Sequence, residues 1–341
     1  MFAGRYELLE PVAEGGMGSV WTVRDLRDGD VKAAKLLRQS DAGSLLRFIR
    51  EQSMRIDHAH VVTPYSWAGE DDRVLFTMPL VHGGSVATLL GDFGALPAAW
   101  VLTLLDQTLA GLEAVHAAGI VHRDVKPGNL LLRATGAAEP YLLLTDFGVA
   151  APVDEPRMTR ASQVIGSPGY MSPEQLRGAD PEPRQDLYAV GMVGLEMISG
   201  VRPPGALGTA TKRAGREPSL QPLVDLLVSA ISPDLGERPS SATNFRAQLA
   251  ALELPASEPG DGPFVFDHFA APVPLRPARV LPPPIPIPIP VPSRRTRISP
   301  APGEVATEPA ARPGRTRLKA VLLLVTGALC AVAALVVLLS L

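Results

Sequence analysis

Cysteine is almost missing from this chain: Cys330 is the only one among 341 residues. A single cysteine excludes an internal disulfide framework and any metal site built on a cysteine cluster. A surplus of one charge sign is missing too. The net charge of -3 offers no strongly basic face, so nucleic acid is not an expected partner. The N-terminal stretch MFAGRYELLE has no apolar core segment, so no cleavable signal peptide is expected. No internal repeat is found. What remains is a chain of two domains at most, long enough to bury a substantial core.

Its composition is uneven. Of the 35 prolines, 17 fall between Leu254 and Lys319, and that stretch carries nine Lys/Arg against five Asp/Glu. The final 22 residues, Ala320–Leu341, carry no charge at all. Three regimes are expected: a globular body, residues 6–253; a Pro-rich, basic, disordered juxtamembrane linker, residues 254–319; and a transmembrane helix, residues 320–341. As a helix the tail would run roughly 33 Å, against a hydrocarbon core of about 30 Å. A buried core helix is the alternative, but helices of soluble proteins show a polar stripe and this segment has none. Arg312, Arg315, Arg317 and Lys319 precede it, and clustered positive charge marks the cytoplasmic flank. A single-pass protein of the cell membrane, tail-anchored with its body in the cytoplasm and without an ectodomain, is the expectation. Leu281–Pro292, LPPPIPIPIPVP, favours polyproline II and reads as a stiff spacer, with a Pro-x-x-Pro docking site as the alternative.

The body begins like a small sheet. YELLEPVA, SVWTVRD and VKAAKLL alternate as strands do, with Asp28-Gly29-Asp30 as a turn before the third. Between the first two lies Glu14-Gly15-Gly16-Met17-Gly18. Glycines let a backbone approach phosphate oxygens and offer N–H groups to them. No Lys-Ser/Thr pair follows the last glycine, so this is not a Walker loop. Further on come Val121-His122-Arg123-Asp124-Val125-Lys126-Pro127-Gly128-Asn129, then Thr145-Asp146-Phe147-Gly148, then Gly166-Ser167-Pro168-Gly169-Tyr170-Met171-Ser172-Pro173-Glu174.

In that order the segments resemble the eukaryotic-like (Hanks-type) serine/threonine protein kinases, in the membrane-anchored form common in bacteria. The resemblance covers roughly Tyr6 to Leu252. It implies an α+β, bilobal fold with a small β-rich N-lobe and a larger helical C-lobe. It also implies a transfer of the ATP γ-phosphoryl group to Ser/Thr hydroxyls of protein substrates, with Mg²⁺ or Mn²⁺, and allows a kinase-domain homodimer for trans-autophosphorylation. Lys35 matches the lysine that pairs the α- and β-phosphates, and Glu51 the helix glutamate that holds it. Asp124 matches the aspartate that accepts the substrate hydroxyl proton, and Lys126 the lysine that contacts the transferred phosphate in serine/threonine kinases. Asn129 and Asp146 match the magnesium ligands, oxygen donors of the kind Mg²⁺ takes. Ala13, Glu14, Gly15, Gly16, Met17 and Gly18 form the phosphate loop. Val20 and Ala33 match the adenine roof, Met78 the gatekeeper, and Leu80 and Val81 the lobe connection, where Pro79 has no N–H to offer.

The resemblance carries further roles. Arg123 would answer a phosphate on the activation loop, with Thr159 the first candidate and Ser162 the second; Ser167 is expected to be structural. Asp186 would brace the catalytic loop, and Glu174 with Arg238 would form a buried ion pair. Two features depart from the pattern. Ala13 replaces the usual first loop glycine, restricting φ and predicting a modest loss of nucleotide affinity. Residues 200–220 are short and rich in Gly, Pro and Arg, and yield no helix assignment. The rival from another class is a catalytically silent, ATP-binding pseudokinase scaffold at the membrane. Loss of Lys35, Asp124, Asn129 or Asp146 would favour it, and all four are present.

Overall fold

In the computed structural model, the described residues are 1–15, 18–38, 56–71, 73–146, 151–152, 167–253 and 262–270. The chain divides into two compact units, Met1–Val273 and Pro274–Leu341. The second lies wholly outside the described residues, and with it the expected membrane helix. Gly16, Met17, Glu51, Thr159 and Ser162 lie outside them as well.

Five antiparallel strands make the N-lobe sheet, in the order β1-β2-β3-β5-β4. They are β1 (Tyr6–Gly15), β2 (Gly18–Asp25), β3 (Val31–Arg38), β4 (Ser66–Glu70) and β5 (Arg73–Met78). Pro11 breaks the β1 ladder, as a residue without N–H must, and the register shifts on both sides of it. The Thr22 hydroxyl accepts from the Glu10 amide at 3.1 Å and so takes up a donor near the irregularity. The β2–β3 hairpin is pinned by Asp25, which is fully buried and receives Arg5 at 2.6 Å and Lys32 at 2.8 Å. The Arg5 hydrogen bond outweighs burial and holds the Asp25 carboxyl below the usual range. Phe2, Tyr6, Val23, Ala34 and Leu75 pack beneath the sheet as a small separate core.

The larger lobe is helical. Its helices are α1 (Val86–Phe93), α2 (Ala98–Ala117), α3 (Pro173–Leu176), α4 (Pro183–Ser199), α5 (Ala206–Ala214), α6 (Gln221–Ala230) and α7 (Ala242–Ala250). Helix α2 is the spine, roughly 30 Å long at the standard rise, with Leu104, Leu105, Leu109, Leu112 and Val115 fully buried. Arg246 of α7 clamps onto α2 through Asp106 and Glu113, both at 2.8 Å. A short hairpin, β7 (Leu130–Leu132) with β8 (Leu142–Leu144), lies against α2. Two shorter strands, β6 (Ile120–Val121) and β9 (Ala151–Pro152), pair with each other.

Residues 262–270, which the sequence reading places in the linker, pack against the C-lobe. Val265 is 2% exposed and exchanges two backbone hydrogen bonds with Gly136, at 2.9 and 3.0 Å. Among the described residues no helix is long and apolar enough to cross a membrane.

Candidate active site

Between the lobes lies a cavity of about 580 Å³, within the roughly 300–1,000 Å³ usual for small-molecule sites. Its apolar lining is set by strand register. Ala13 pairs with Val20 across β1–β2, and Ala33 pairs with Met78 across β3–β5. All four line the cavity, as do Leu80 and Val81 of the lobe connection. Gly15 pairs with Gly18 where the β1–β2 hairpin turns. Gly18 has a φ of +149°, and a Cβ there would lie 2.2 Å from the Leu36 carbonyl oxygen, so only glycine fits. Ala13 sits in paired strand without a positive φ, a conformation that alanine takes without strain.

The polar end of the cavity is built by Lys35, Asn129, Thr145 and Asp146. Lys35, on β3, donates to Asp146 Oδ1. Its expected helix partner, Glu51, lies outside the described residues. Burial opposes ionisation of Asp146, but the charge and hydrogen bond of Lys35, with His122 and Lys126 beyond, hold its carboxyl below the usual range. Asp146 has a φ of +71° and Arg123 one of +68°. Such backbone costs about 1–3 kcal/mol per residue and persists only when its surroundings hold it. Those holds are visible at Arg123. Its amide donates to Asp186 at 2.7 Å, and its carbonyl accepts from Gln175 Nε2 at 3.0 Å.

Asp186, at 1% exposure, also accepts from the His122 amide at 2.9 Å and from His116 Nε2 at 2.8 Å. Burial pushes its carboxyl up, and the hydrogen bonds and nearby charge of His116 outweigh that and hold it low. His122 is fully buried; it donates Nε2 to the Thr145 carbonyl at 3.0 Å and accepts the Asp124 amide at Nδ1 at 3.3 Å. One ring thus ties the Asp124 loop to the segment that ends in Asp146.

Asp124 is the centre of a short network. Lys126 Nζ donates to Oδ2 at 2.7 Å, Ser167 Oγ to Oδ1 at 2.9 Å, and Asn129 Nδ2 to Oδ2 at 3.0 Å. Lys126 also donates to Ser167 Oγ at 2.8 Å. Asn129 uses its amide nitrogen on Asp124, which orients the amide and directs its oxygen elsewhere. A hard cation takes such an oxygen, together with a carboxylate like Asp146. Among the described residues no three His, Cys, Asp or Glu side chains cluster as a metal cage. Mg²⁺ does not require one, because it keeps waters and takes phosphate oxygens.

Below the site, Glu174 and Arg238 form a two-pronged pair at 2.7 and 2.9 Å, with the Arg238 side chain fully buried. Glu174 lies on α3, which the Ser172 hydroxyl caps by accepting from the Gln175 amide. A profile described as the protein kinase domain matches residues 6–246, the same body that carries these residues in this arrangement.

The chain belongs to the protein kinase family. Its kinase domain is similar to serine/threonine-protein kinase PknA of Mycobacterium tuberculosis, 38% identical over 229 residues, or 63% of this chain and 52% of PknA. It is also similar to serine/threonine-protein kinase pkn3 of Myxococcus xanthus, 33% identical over 275 residues, or 74% of this chain and 50% of pkn3. A third is serine/threonine-protein kinase PkaA of Streptomyces coelicolor, 33% identical over 64% of this chain and 43% of PkaA. The chain spans about half the length of these curated relatives.

The structure brings together Ala13, Val20, Ala33, Lys35, Met78, Leu80, Val81, Asn129 and Asp146 at one cavity, with Asp124 and Lys126 bonded next to Asn129. Glu14 pairs with Ser19 in the loop hairpin. Sequence reasoning missed the cavity floor at Leu131, although a strand alternation of Leu130, Leu131 and Leu132 turns the middle residue the other way. It also missed the direct bond from Ser167 to Asp124, and His268 and Phe269, which line the same cavity.

Proposed function

We propose that this chain is a serine/threonine protein kinase that transfers the ATP γ-phosphoryl group to Ser/Thr hydroxyls of proteins and phosphorylates its own activation loop. The observation that carries this is the Asp124 network: a carboxylate fixed by Lys126, Ser167 and Asn129, one side chain away from a cavity whose polar end holds Lys35 and Asp146. Phosphoryl transfer is mainly positioning and charge stabilisation, and the chain supplies groups for both. Lys35 would hold the α- and β-phosphates once they compete with Asp146 for its ammonium. Asn129 and Asp146 would hold the metal, which neutralises phosphate charge when bound. Asp124 would take the hydroxyl proton as the acceptor oxygen bonds to the γ-phosphorus and the β,γ-bridging oxygen leaves with ADP. Lys126, bonded to Asp124, would stabilise charge on the transferred group.

Thr159 is the first candidate for the activating phosphate and Ser162 the second, with Arg123 as the guanidinium that reads it. Mass spectrometry of the purified chain after incubation with ATP and Mg²⁺ should find phosphate on Thr159. A chain that binds ATP yet stays unmodified would overturn the kinase reading and favour the scaffold.

Ala320–Leu341 would hold the kinase in the cell membrane as a single span, with the domain on the cytoplasmic side and the Pro-rich stretch as spacer. Its support is the 22 uncharged residues behind Arg312, Arg315, Arg317 and Lys319. An alkaline carbonate wash of membranes strips peripheral proteins and should leave the chain in the pellet. Recovery in the wash would contradict the span.

A further inference from the structure

The segment Gly262–Ala270 lies beyond the kinase-domain match, which ends at residue 246, yet it reaches the nucleotide cavity. Three anchors bring it there. Val265 is bridged to Gly136 by backbone hydrogen bonds in both directions, and the His268 amide donates to the His82 carbonyl at 2.8 Å. His82 Nδ1 meets the Asp267 carboxylate at 3.0 and 3.2 Å. The Asp267 carboxylate also accepts the Phe269 amide at 2.9 Å, closing a tight turn that sets where the next ring goes. That ring stands edge-on to His82, with centroids 5.5 Å apart.

Gly84 makes room for the neighbouring His268. The glycine's φ is +71°, and a Cβ there would lie 3.0 Å from His268 Nε2. The strap can therefore lie flat on the chain that leaves the lobe connection. His268 and Phe269 line the cavity along with Val12 and Leu80. The other two strap phenylalanines behave differently: Phe264 and Phe266 are 46% and 53% exposed and pack on each other at 4.7 Å. A merely sticky segment would not sort its rings in this way. The strap walls the cavity and does not fill it, because about 580 Å³ remain with Phe269 in place.

We propose that Gly262–Ala270 is a working part of the nucleotide site, with Phe269 supplying an aromatic wall against the bound nucleoside of ATP. This rests on the reading of the cavity as the ATP site. It makes the affinity for nucleotide depend on a segment outside the kinase-domain match.

The test measures affinity for a fluorescent ADP analogue, and for ATP by displacement, on the full-length chain without turnover. KM for ATP and kcat are then measured separately. Phe269→Ala should weaken nucleotide binding and raise KM for ATP by roughly 5- to 10-fold, the effect of losing one aromatic contact, with the change falling on KM more than on kcat. Phe269→Tyr keeps the ring and should bind within twofold of the unaltered chain. Phe266→Ala, at an exposed ring of the same strap, should bind like the unaltered chain. Unchanged affinity in Phe269→Ala would overturn the proposal. Tighter binding would also overturn it, because the strap would then be occluding the site. Equal weakening by Phe266→Ala would do the same by showing a general loss of structure. An unaltered chain that binds nucleotide but transfers nothing would sink the kinase reading alone, with the strap still judged on affinity.

Discussion

Asp124→Asn should lower turnover by about 10²-fold or more, the usual loss when a positioned proton acceptor is removed. The substitution keeps the side chain's size and hydrogen-bonding reach. It replaces a carboxylate with an amide that cannot take the hydroxyl proton, and it puts an N–H donor where Lys126, Ser167 and Asn129 all donate now. Asp124 is not among the residues that line the nucleotide cavity, so KM for ATP should change little. The two parameters separate the roles. A loss confined to kcat places the defect in the transfer step, and an equal rise in KM would place it in binding. Initial rates at saturating ATP decide it. Equal rates for the two proteins would mean that Asp124 transfers no proton, and rates at background in both would leave the scaffold reading.

Arg238→Ala should strongly destabilise the C-lobe. The guanidinium is fully buried, forks onto Glu174, and also donates to the carbonyls of Ser232 at 2.7 Å and Arg184 at 3.2 Å. Removing it strands the Glu174 carboxylate, at a cost of about 3–5 kcal/mol. For a domain of this size the melting temperature should fall on the order of 10 °C. The double variant Glu174→Leu with Arg238→Leu removes both charges and should recover part of that loss. Thermal melts of the three proteins test it; a double variant no more stable than Arg238→Ala would show that the carbonyl bonds matter more than the ion pair.

The same pair contributes to acid sensitivity. Burial pushes Glu174 up, but the Arg238 hydrogen bond outweighs it and holds the carboxyl below its ordinary value. Asp186 and Asp25 are held low as well. A depressed folded pKa gives stability that is present above the unfolded value, near pH 4. It is lost as pH falls through the lower folded value. The stability of the unaltered domain should therefore drop steeply below about pH 4.

The chemistry was legible because phosphate-handling residues sit in short contiguous runs. Asp124, Lys126 and Asn129 fall within six residues, and their spacing carries over directly into the network around the Asp124 carboxylate. The sheet was legible too, since β1 to β3 alternate and the Asp28-Gly29-Asp30 turn marks the hairpin. Other features were hidden for physical reasons. Helix α5 buries Ala206, Ala210 and Ala214 at intervals of four, but alanines give little hydrophobic contrast and the flanking Gly and Pro left the region without a helix assignment. Ser167 reaches Asp124 across 43 residues of sequence, a contact that no local pattern encodes. The strap was masked by the prolines around it. Its anchors are non-local, with Asp267 meeting His82 across 185 positions, and its apolar run is too short to stand out from a Pro-rich composition.

Radiolabel transfer from [γ-³²P]ATP by the full-length chain, followed by phosphoamino-acid analysis, tests the kinase assignment most directly. Label should appear in phosphothreonine and phosphoserine of the chain itself and of an added basic protein. It should require Mg²⁺ or Mn²⁺ and be lost in Asp124→Asn. Nucleotide binding without any label, or label found in phosphotyrosine alone, would contradict it.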